Sequence, residues 1–219
     1  MKLFFKKNKP PTWTQGKALT PNGVFEKVIL CNLDRRPDRL DHATKQCEKV
    51  GIEFERISAV DGSDINWRSE NKNFRNMKSW GALALSHTML SILKNAIEEK
   101  WDSFLFMEDD ITFANDFSEN FKSNIKYVPD DWKIIHCGDD VPVKGSFVRG
   151  NIRKLGGHLY TTNFVAFRNT FFHQYYHNLL EHGHAIDEPK SLDICNTRSF
   201  YMFLPPLAFQ MKSLKSDIK

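Results

Sequence analysis

Cysteine is scarce in this chain. Cys31, Cys47, Cys137 and Cys195 are spread over 219 residues, and no two of them form a C-x-x-C pair. The usual sign of a zinc site or a dithiol redox centre is therefore missing, and reduced, mostly buried thiols in a reducing compartment are expected. Long apolar runs are missing too. No segment approaches the ~20 apolar residues of a membrane-spanning helix, and the patch in "MKLFFKKNKPPTW" is too short for a signal-peptide core. Nor does one sign of charge dominate. A formal net charge of +4 favours anionic ligands mildly but lacks the density of a nucleic-acid footprint. These absences predict a soluble, cytoplasmic protein with no nucleic-acid partner and no transmembrane segment. At most, its basic N-terminal residues would make peripheral contact with a membrane.

What is present is an ordinary globular composition, 41% apolar and 26% charged, long enough to bury a substantial core. Residues 1–23 read as a basic, poorly ordered arm, rich in Lys, Pro and Asn without sustained periodicity. A domain over residues 24–210 and a tail over 211–219 follow. "VFEKVILCNL" signals a strand, and Pro37 suits the first turn of a helix. Leu40, Ala43, Cys47 and Val50 give that helix an apolar stripe, Gly51 stops it, and "IEFERISAV" alternates as a second strand. A strand, a helix and a strand in that order favour parallel pairing. Residues 65–78 read as a long loop, and "WGALALSHTMLSILKNAIEEKW" as a long helix. Further strands are signalled by "SFLFM", "WKIIHC", "HLYTTNFVAF" and "FYMFL", with helices at about 117–127 and in "NTFFHQYYHNLLEHG". The fold class expected is α/β, a single domain with a mostly parallel central sheet flanked by helices.

In "FLFMEDDITF" three carboxylates, Glu108, Asp109 and Asp110, directly follow a buried-strand pattern. Adjacent acids repel one another, so something positive is expected beside them. In parallel sheets ligands bind beyond the carboxyl ends of strands, where this triplet falls. Mg²⁺ or Mn²⁺ takes oxygen ligands, few of them from protein, with substrate phosphates supplying the rest. Such an ion would neutralise charge that develops as a nucleotide-sugar bond breaks. Glu108 and Asp110 would share one side if the chain stays extended, with Asp109 pointing elsewhere. A solvated turn or a helix N-terminus is the plainer alternative.

"VILCNLDRRPDRLDHATKQCEKVGIEFERISAVDG" followed by "GALALSHTMLSILKNAIEEKWDSFLFMEDDITF" resembles glycosyltransferase family 25, with weaker echoes in "GGHLY" and in the closing "PPLAFQ". The resemblance spans roughly residues 24–210, and four motifs in order carry it. Ala84 and Met107 depart from the pattern, and the region after Gly138 matches loosely. The resemblance implies a GT-A-like fold, a UDP-sugar donor (often UDP-galactose), Mn²⁺ or Mg²⁺ on Glu108 and Asp110, and transfer with inversion to a hydroxyl of a glycan or protein acceptor.

On that reading Asn32, Asp34, Arg39, Asp61, His87 and Asp109 belong to the donor side. An arginine would offset phosphate charge, Arg39 ahead of Arg35 and Arg36, which suit a solvated helix start. Asp61 would accept from ribose or uracil, or serve only as a turn residue before Gly62. His87 would pack beside the site without ligating metal. The base must lie on a separate segment. Asp187, matching the family's acidic position after its last helix, comes first, followed by Glu188 and by Asp140 or Asp139 of "CGDD". The rivals are a metal phosphoesterase or nuclease, a UDP-sugar hydrolase, and a catalytically degenerate nucleotide-sugar- or carbohydrate-binding module.

Overall fold

The computed structural model describes residues 11–66, 79–139, 145–155, 161–182, 186 and 199–211. Helix α1 (Pro21–Val24) is capped by the Thr20 side chain, which accepts from the Gly23 N–H. Strand β1 (Lys27–Asn32) leads into helix α2 (Pro37–Val50). Pro37 sits in its first turn, where a missing N–H costs nothing. Gly51, at φ 71°, closes its C-terminus by donating to the Cys47 and Glu48 carbonyls. Strand β2 (Glu55–Ser58) follows, then a 3₁₀ turn at Gly62–Asp64.

Helix α3 (Trp80–Glu98) is capped by Ser79 and runs back to strand β3 (Ser103–Glu108). Strand β4 (Ile111–Phe113), helix α4 (Phe117–Asn124) and strand β5 (Ile134–His136) come next. A hairpin of β6 (Gly145–Arg149) and β7 (Ile152–Leu155), strand β8 (Phe164–Arg168), helix α5 (Asn169–His182), β9 (Phe200–Phe203) and β10 (Ala208–Gln210) complete the order.

Eight strands form one sheet in the order β2-β1-β3-β8-β5-β9-β7-β6, and β4 pairs with β10 in a separate two-stranded ribbon. β1 is parallel to β2 and β3, and β5 to β9, whereas β8 and β7 run against their neighbours. Six of the eight strands therefore point one way, and the expected α/β class with a mostly parallel sheet holds.

Both faces of this sheet are covered, which explains why its strands read as near-continuous apolar runs. Val28, Leu30, Leu105 and Met107 pack with Ala43 and Cys47 of α2 and Phe117 and Phe121 of α4. Their alternates Ile29, Cys31, Phe104 and Phe106 pack with Leu83, Met89 and Leu93 of α3 and Phe171 and Tyr175 of α5. A period of two on strands and 3.6 on helices suffices to sort these residues to opposite faces.

Three expectations need correction. Residues 11–23 are not a loose arm. Thr12 Oγ1 donates to Asp130 at 2.8 Å, Trp13 Nε1 donates to the Val128 carbonyl at 3.1 Å, and the Trp13 ring lies 5.1 Å from that of Trp132. The two tryptophans bury each other's apolar surface, a contact 119 residues apart that local composition cannot signal. Val24–Glu26 do not belong to the first strand, since Val24 ends α1 and β1 begins at Lys27. The short strands β4, β6, β7 and β10 are additions to the expected list. Cys31, Cys47 and Cys137 are free and buried, as expected, while Cys195, most of the 65–78 loop and residues 1–10 lie outside the described residues.

Candidate active site

β1 and β3 are parallel neighbours, with Cys31 opposite Glu108, so their carboxyl ends finish side by side. Asn32, buried, ends one strand, and the acidic triplet ends the other. The Asp61–Ser63 turn and the start of α3 close the opposite side, leaving a cleft of about 260 Å³. Gly62 permits this closure: a Cβ there would stand 3.0 Å from the Trp80 carbonyl oxygen. Trp80, Gly81, Ala84 and Leu85, in the first turns of α3, also line the cleft, so the positive end of that helix dipole meets it.

The chain does not stay extended through the acids. β3 stops at Glu108, and Asp109 and Asp110 form the turn into β4. Their carboxylates converge on Arg39, whose Nη1 lies 2.9 Å from Asp109 Oδ1 and 3.5 Å from Asp110 Oδ2, with all three side chains buried. Arg39 is thus the positive charge that the triplet requires, and it acts as a structural counter-ion. A buried pair of this kind adds little net stability while intact, yet losing one partner costs roughly 3–5 kcal/mol because the other charge is stranded.

Asn32 completes the arrangement. Its Nδ2 donates to Asp109 Oδ2 at 2.8 Å and to the Arg36 carbonyl at 3.0 Å, while its Oδ1 accepts from Arg56 Nε at 3.0 Å. Its polar atoms are engaged in holding the floor.

Asp110 differs from Asp109. Its Oδ2 accepts from Gln210 Nε2 at 3.1 Å, but its Oδ1 is buried and has no hydrogen-bond partner among the described residues. An orphaned buried acceptor costs about 1–3 kcal/mol, more when charged. Burial raises the Asp110 pKa above the ordinary carboxylate value despite the Gln210 hydrogen bond and the Arg39 charge. At the rim the sign reverses. Asp61 is held below its ordinary value, first by the Ser63 N–H and then by Arg35, with which it forms an ion pair. Glu108, partly exposed, accepts from Thr162 Oγ1 at 3.3 Å.

The cleft therefore brings together Asn32, Arg39, Asp61, Glu108, Asp109 and Asp110 of the expected residues. Asp34 is not among its walls. It is exposed, bonded to Ser58 Oγ at 2.7 Å and paired with Arg56. His87 is half-buried on α3 and does not line the cleft. Asp140, Asp187 and Glu188 lie outside the described residues. Asp139 is described, and its Oδ1 accepts from Asn163 Nδ2 at 2.8 Å and from the Gln210 N–H at 3.1 Å.

Three lining residues escaped the sequence reading or were ranked low by it. Arg35, half-exposed, lines the cleft although Arg39 was preferred. Trp80 is 48% exposed at its mouth. Gln210 reaches Asp110 from the far end of the chain, and the closing "PPLAFQ" was its only signal.

Among the described residues no group of three His, Cys, Asp or Glu side chains could by itself hold a metal ion. The donor set still fits a hard cation whose remaining ligands come from elsewhere. Glu108 and Asp110 supply carboxylates, and Asp110 Oδ1 has an unused lone pair. Mg²⁺-type sites commonly take only one or two protein carboxylates and complete their shell with substrate phosphates and water.

Fold and cleft together define an α/β protein with an acidic site at the carboxyl ends of adjacent parallel strands. The family model for glycosyltransferase family 25 (LPS biosynthesis protein) matches residues 25–184, and the chain belongs to that family. Two curated relatives are similar over about half of the chain. Procollagen galactosyltransferase 2 of Mus musculus is 28% identical over 131 residues, 52% of this chain and 21% of the relative. Its Homo sapiens counterpart is 29% identical over 132 residues, with the same coverage. The matched stretch thus spans about a fifth of those relatives' length. Among solved structures, a glycosyltransferase involved in the glycosylation of the major capsid of PBCV-1 aligns with a TM-score of 0.47 at 10% identity. That alignment covers 86% of this chain and 93% of the other, and at this distance it does not bear on the site. No described helix is long and apolar enough to cross a membrane.

Proposed function

We propose that the cleft binds a UDP-sugar together with Mn²⁺ or Mg²⁺ and transfers its hexose, galactose by analogy with the curated relatives, to a hydroxyl of a glycan or protein acceptor with inversion. Charge carries this reading. Two arginines, Arg35 and Arg39, line the cleft with four carboxylates, Asp61, Glu108, Asp109 and Asp110. A diphosphate would not enter such a surplus of negative charge unaided, and the positive end of α3 offsets only about half a charge. A divalent cation shared between the phosphates and the carboxylates removes the conflict.

Glu108 and Asp110 would hold that cation. When bound, it would supply electrostatic stabilisation of the departing diphosphate. Asp109 and Asn32 keep Arg39 and the turn in place. Arg35, ion-paired to Asp61 at the rim, would reach a phosphate by exchanging that contact. Trp80 offers an aromatic face to the base or sugar. Inversion requires a base opposite the leaving group, and Asp187 is proposed for it, with Glu188 and Asp140 as alternatives.

A transfer assay tests the reading. The chain is incubated with UDP-galactose, UDP-glucose or GDP-mannose and hydroxyl acceptors, with Mn²⁺ or with EDTA. UDP-hexose-dependent transfer that EDTA abolishes is expected. Full activity in EDTA would remove the cation from the account. Donor binding without transfer or hydrolysis would favour a binding module, and release of free sugar alone would indicate a hydrolase.

A further inference from the structure

We infer that Gln210 is a positioning residue, and that strand β10 acts as a clamp which aims Asp110 Oδ1 at the proposed cation. The inference rests on the cation reading above and adds to it a role for the far end of the chain.

Several contacts converge on this strand. β10 pairs antiparallel with β4, so that Gln210 stands opposite Ile111, the residue next to Asp110. The Met211 N–H donates to the Asp110 carbonyl at 2.8 Å, which fixes the backbone of the acidic turn. Gln210 Nε2 donates to Asp110 Oδ2 at 3.1 Å, the same oxygen that faces Arg39 at 3.5 Å. A hydrogen bond and an ion pair thus hold one carboxylate oxygen, and the other, Oδ1, is left without a partner among the described residues. The asymmetry has a physical consequence. Rotating the carboxylate to offer Oδ2 would break its contacts with Gln210 and Arg39, so Oδ1 is the oxygen presented to a cation.

The clamp is itself anchored. The Gln210 N–H donates to Asp139 Oδ1 at 3.1 Å, and the same oxygen takes the Asn163 amide at 2.8 Å. The Leu207 N–H donates to the Cys137 carbonyl at 2.8 Å. Gly138 lies beneath, where a Cβ would stand 1.9 Å from Asn163 Oδ1, so only glycine leaves that amide in place. Asp139 is therefore committed to positioning β10, which argues against it as the base.

The test compares the parent chain, Asp110→Asn and Gln210→Met by titration calorimetry of Mn²⁺ in the presence of UDP, and by the electron paramagnetic resonance spectrum of bound Mn²⁺. Methionine keeps the length and flexibility of glutamine and removes the donor. Groups that orient a metal ligand typically contribute 10–100-fold to metal affinity. Gln210→Met is expected to weaken Mn²⁺ binding by about that factor and to broaden the spectrum, while the metal-free variant stays folded with a melting temperature lowered only by the lost hydrogen bond. If Gln210→Met fails to fold, Asp139→Asn, which weakens the anchor on the Gln210 backbone N–H and leaves its side-chain amide in place, is expected to show a smaller loss of the same kind. Parent-like Mn²⁺ affinity in Gln210→Met, beside a loss in Asp110→Asn, would overturn the positioning role alone. Equal Mn²⁺ binding by parent and Asp110→Asn, or none by the parent, would overturn the cation reading and the clamp with it.

Discussion

The two ends of strand β3 teach different things about this molecule. At its start Phe104 is fully buried among Phe167, Phe172 and Trp101, with ring centroids 5.2–6.2 Å apart. Four residues later Glu108, Asp109 and Asp110 meet an arginine, an asparagine and a glutamine. The first end contributes stability through apolar burial, and each side chain there fits its surroundings. The second holds three acids, and one oxygen, Asp110 Oδ1, has no hydrogen-bond partner among the described residues. Apolar burial concentrates at one end of the strand and the proposed chemistry at the other. Substitution of Asp110, whose Oδ1 has no partner among the described residues, should therefore separate the two properties.

The largest expected effect lies beyond this strand, at the proposed base. Asp187→Asn should lower turnover by ~10²–10⁴-fold, the usual contribution of positioned proton removal, with UDP affinity nearly unchanged. A normal rate in that variant, beside a collapse in Asp140→Asn, would move the role to the "GDD" loop. Next in size is Phe104→Ala, which should destabilise the fold by ~3–5 kcal/mol in urea unfolding through transfer and cavity costs. At the opposite end Asp109→Ala strands Arg39 beside a single, more distant carboxylate. A loss at the lower end of the range for broken buried pairs, ~3 kcal/mol, is expected. If both variants lost activity without losing stability, the contrast between the two ends of β3 would break.

Asp110 gives a smaller effect of opposite sign. Its pKa is raised on folding, so the protonated form is the better tolerated one in the native state. The stability tied to it is fully present below the ordinary value of 3.8 and is lost as pH rises through the raised one. Asp110→Asn should therefore melt at or above the parent's temperature at pH 7 while losing activity, and the melting advantage should disappear below the ordinary carboxylate value. A lower melting temperature at pH 7 would mean that the Arg39 contact outweighs burial.

The same contrast explains what the sequence revealed. The β1–α2–β2 unit was legible because Pro37, Gly51 and the alternating apolar residues are local signals. The acidic triplet was legible because three adjacent carboxylates behind a buried strand repel one another and so demand a counter-charge. That Arg39 rather than Arg35 is buried follows from helical phase, since Arg39 lies on the face of α2 shared with Ala43. Its engagement by the acids, which leaves the exposed Arg35 nearer a ligand, could not be read because it depends on the β1–β3 register. Strand β10 and Gln210 were invisible as site elements for the same reason: their partners are about a hundred residues away. The Trp13–Trp132 contact escaped in the same way, hidden inside a stretch whose composition resembles a disordered arm.

The central claim is that the cleft at the ends of β1 and β3 takes a uridine diphosphate with a divalent cation. Thermal denaturation with UDP, GDP and CMP, each with Mn²⁺ and with EDTA, tests it most directly, because a ligand that binds only the folded state raises the melting temperature by mass action. The account predicts a shift with UDP and Mn²⁺ that EDTA removes and that is absent in Asp110→Asn. Stabilisation by GDP or CMP and not by UDP, or an equal UDP shift in EDTA, would contradict it.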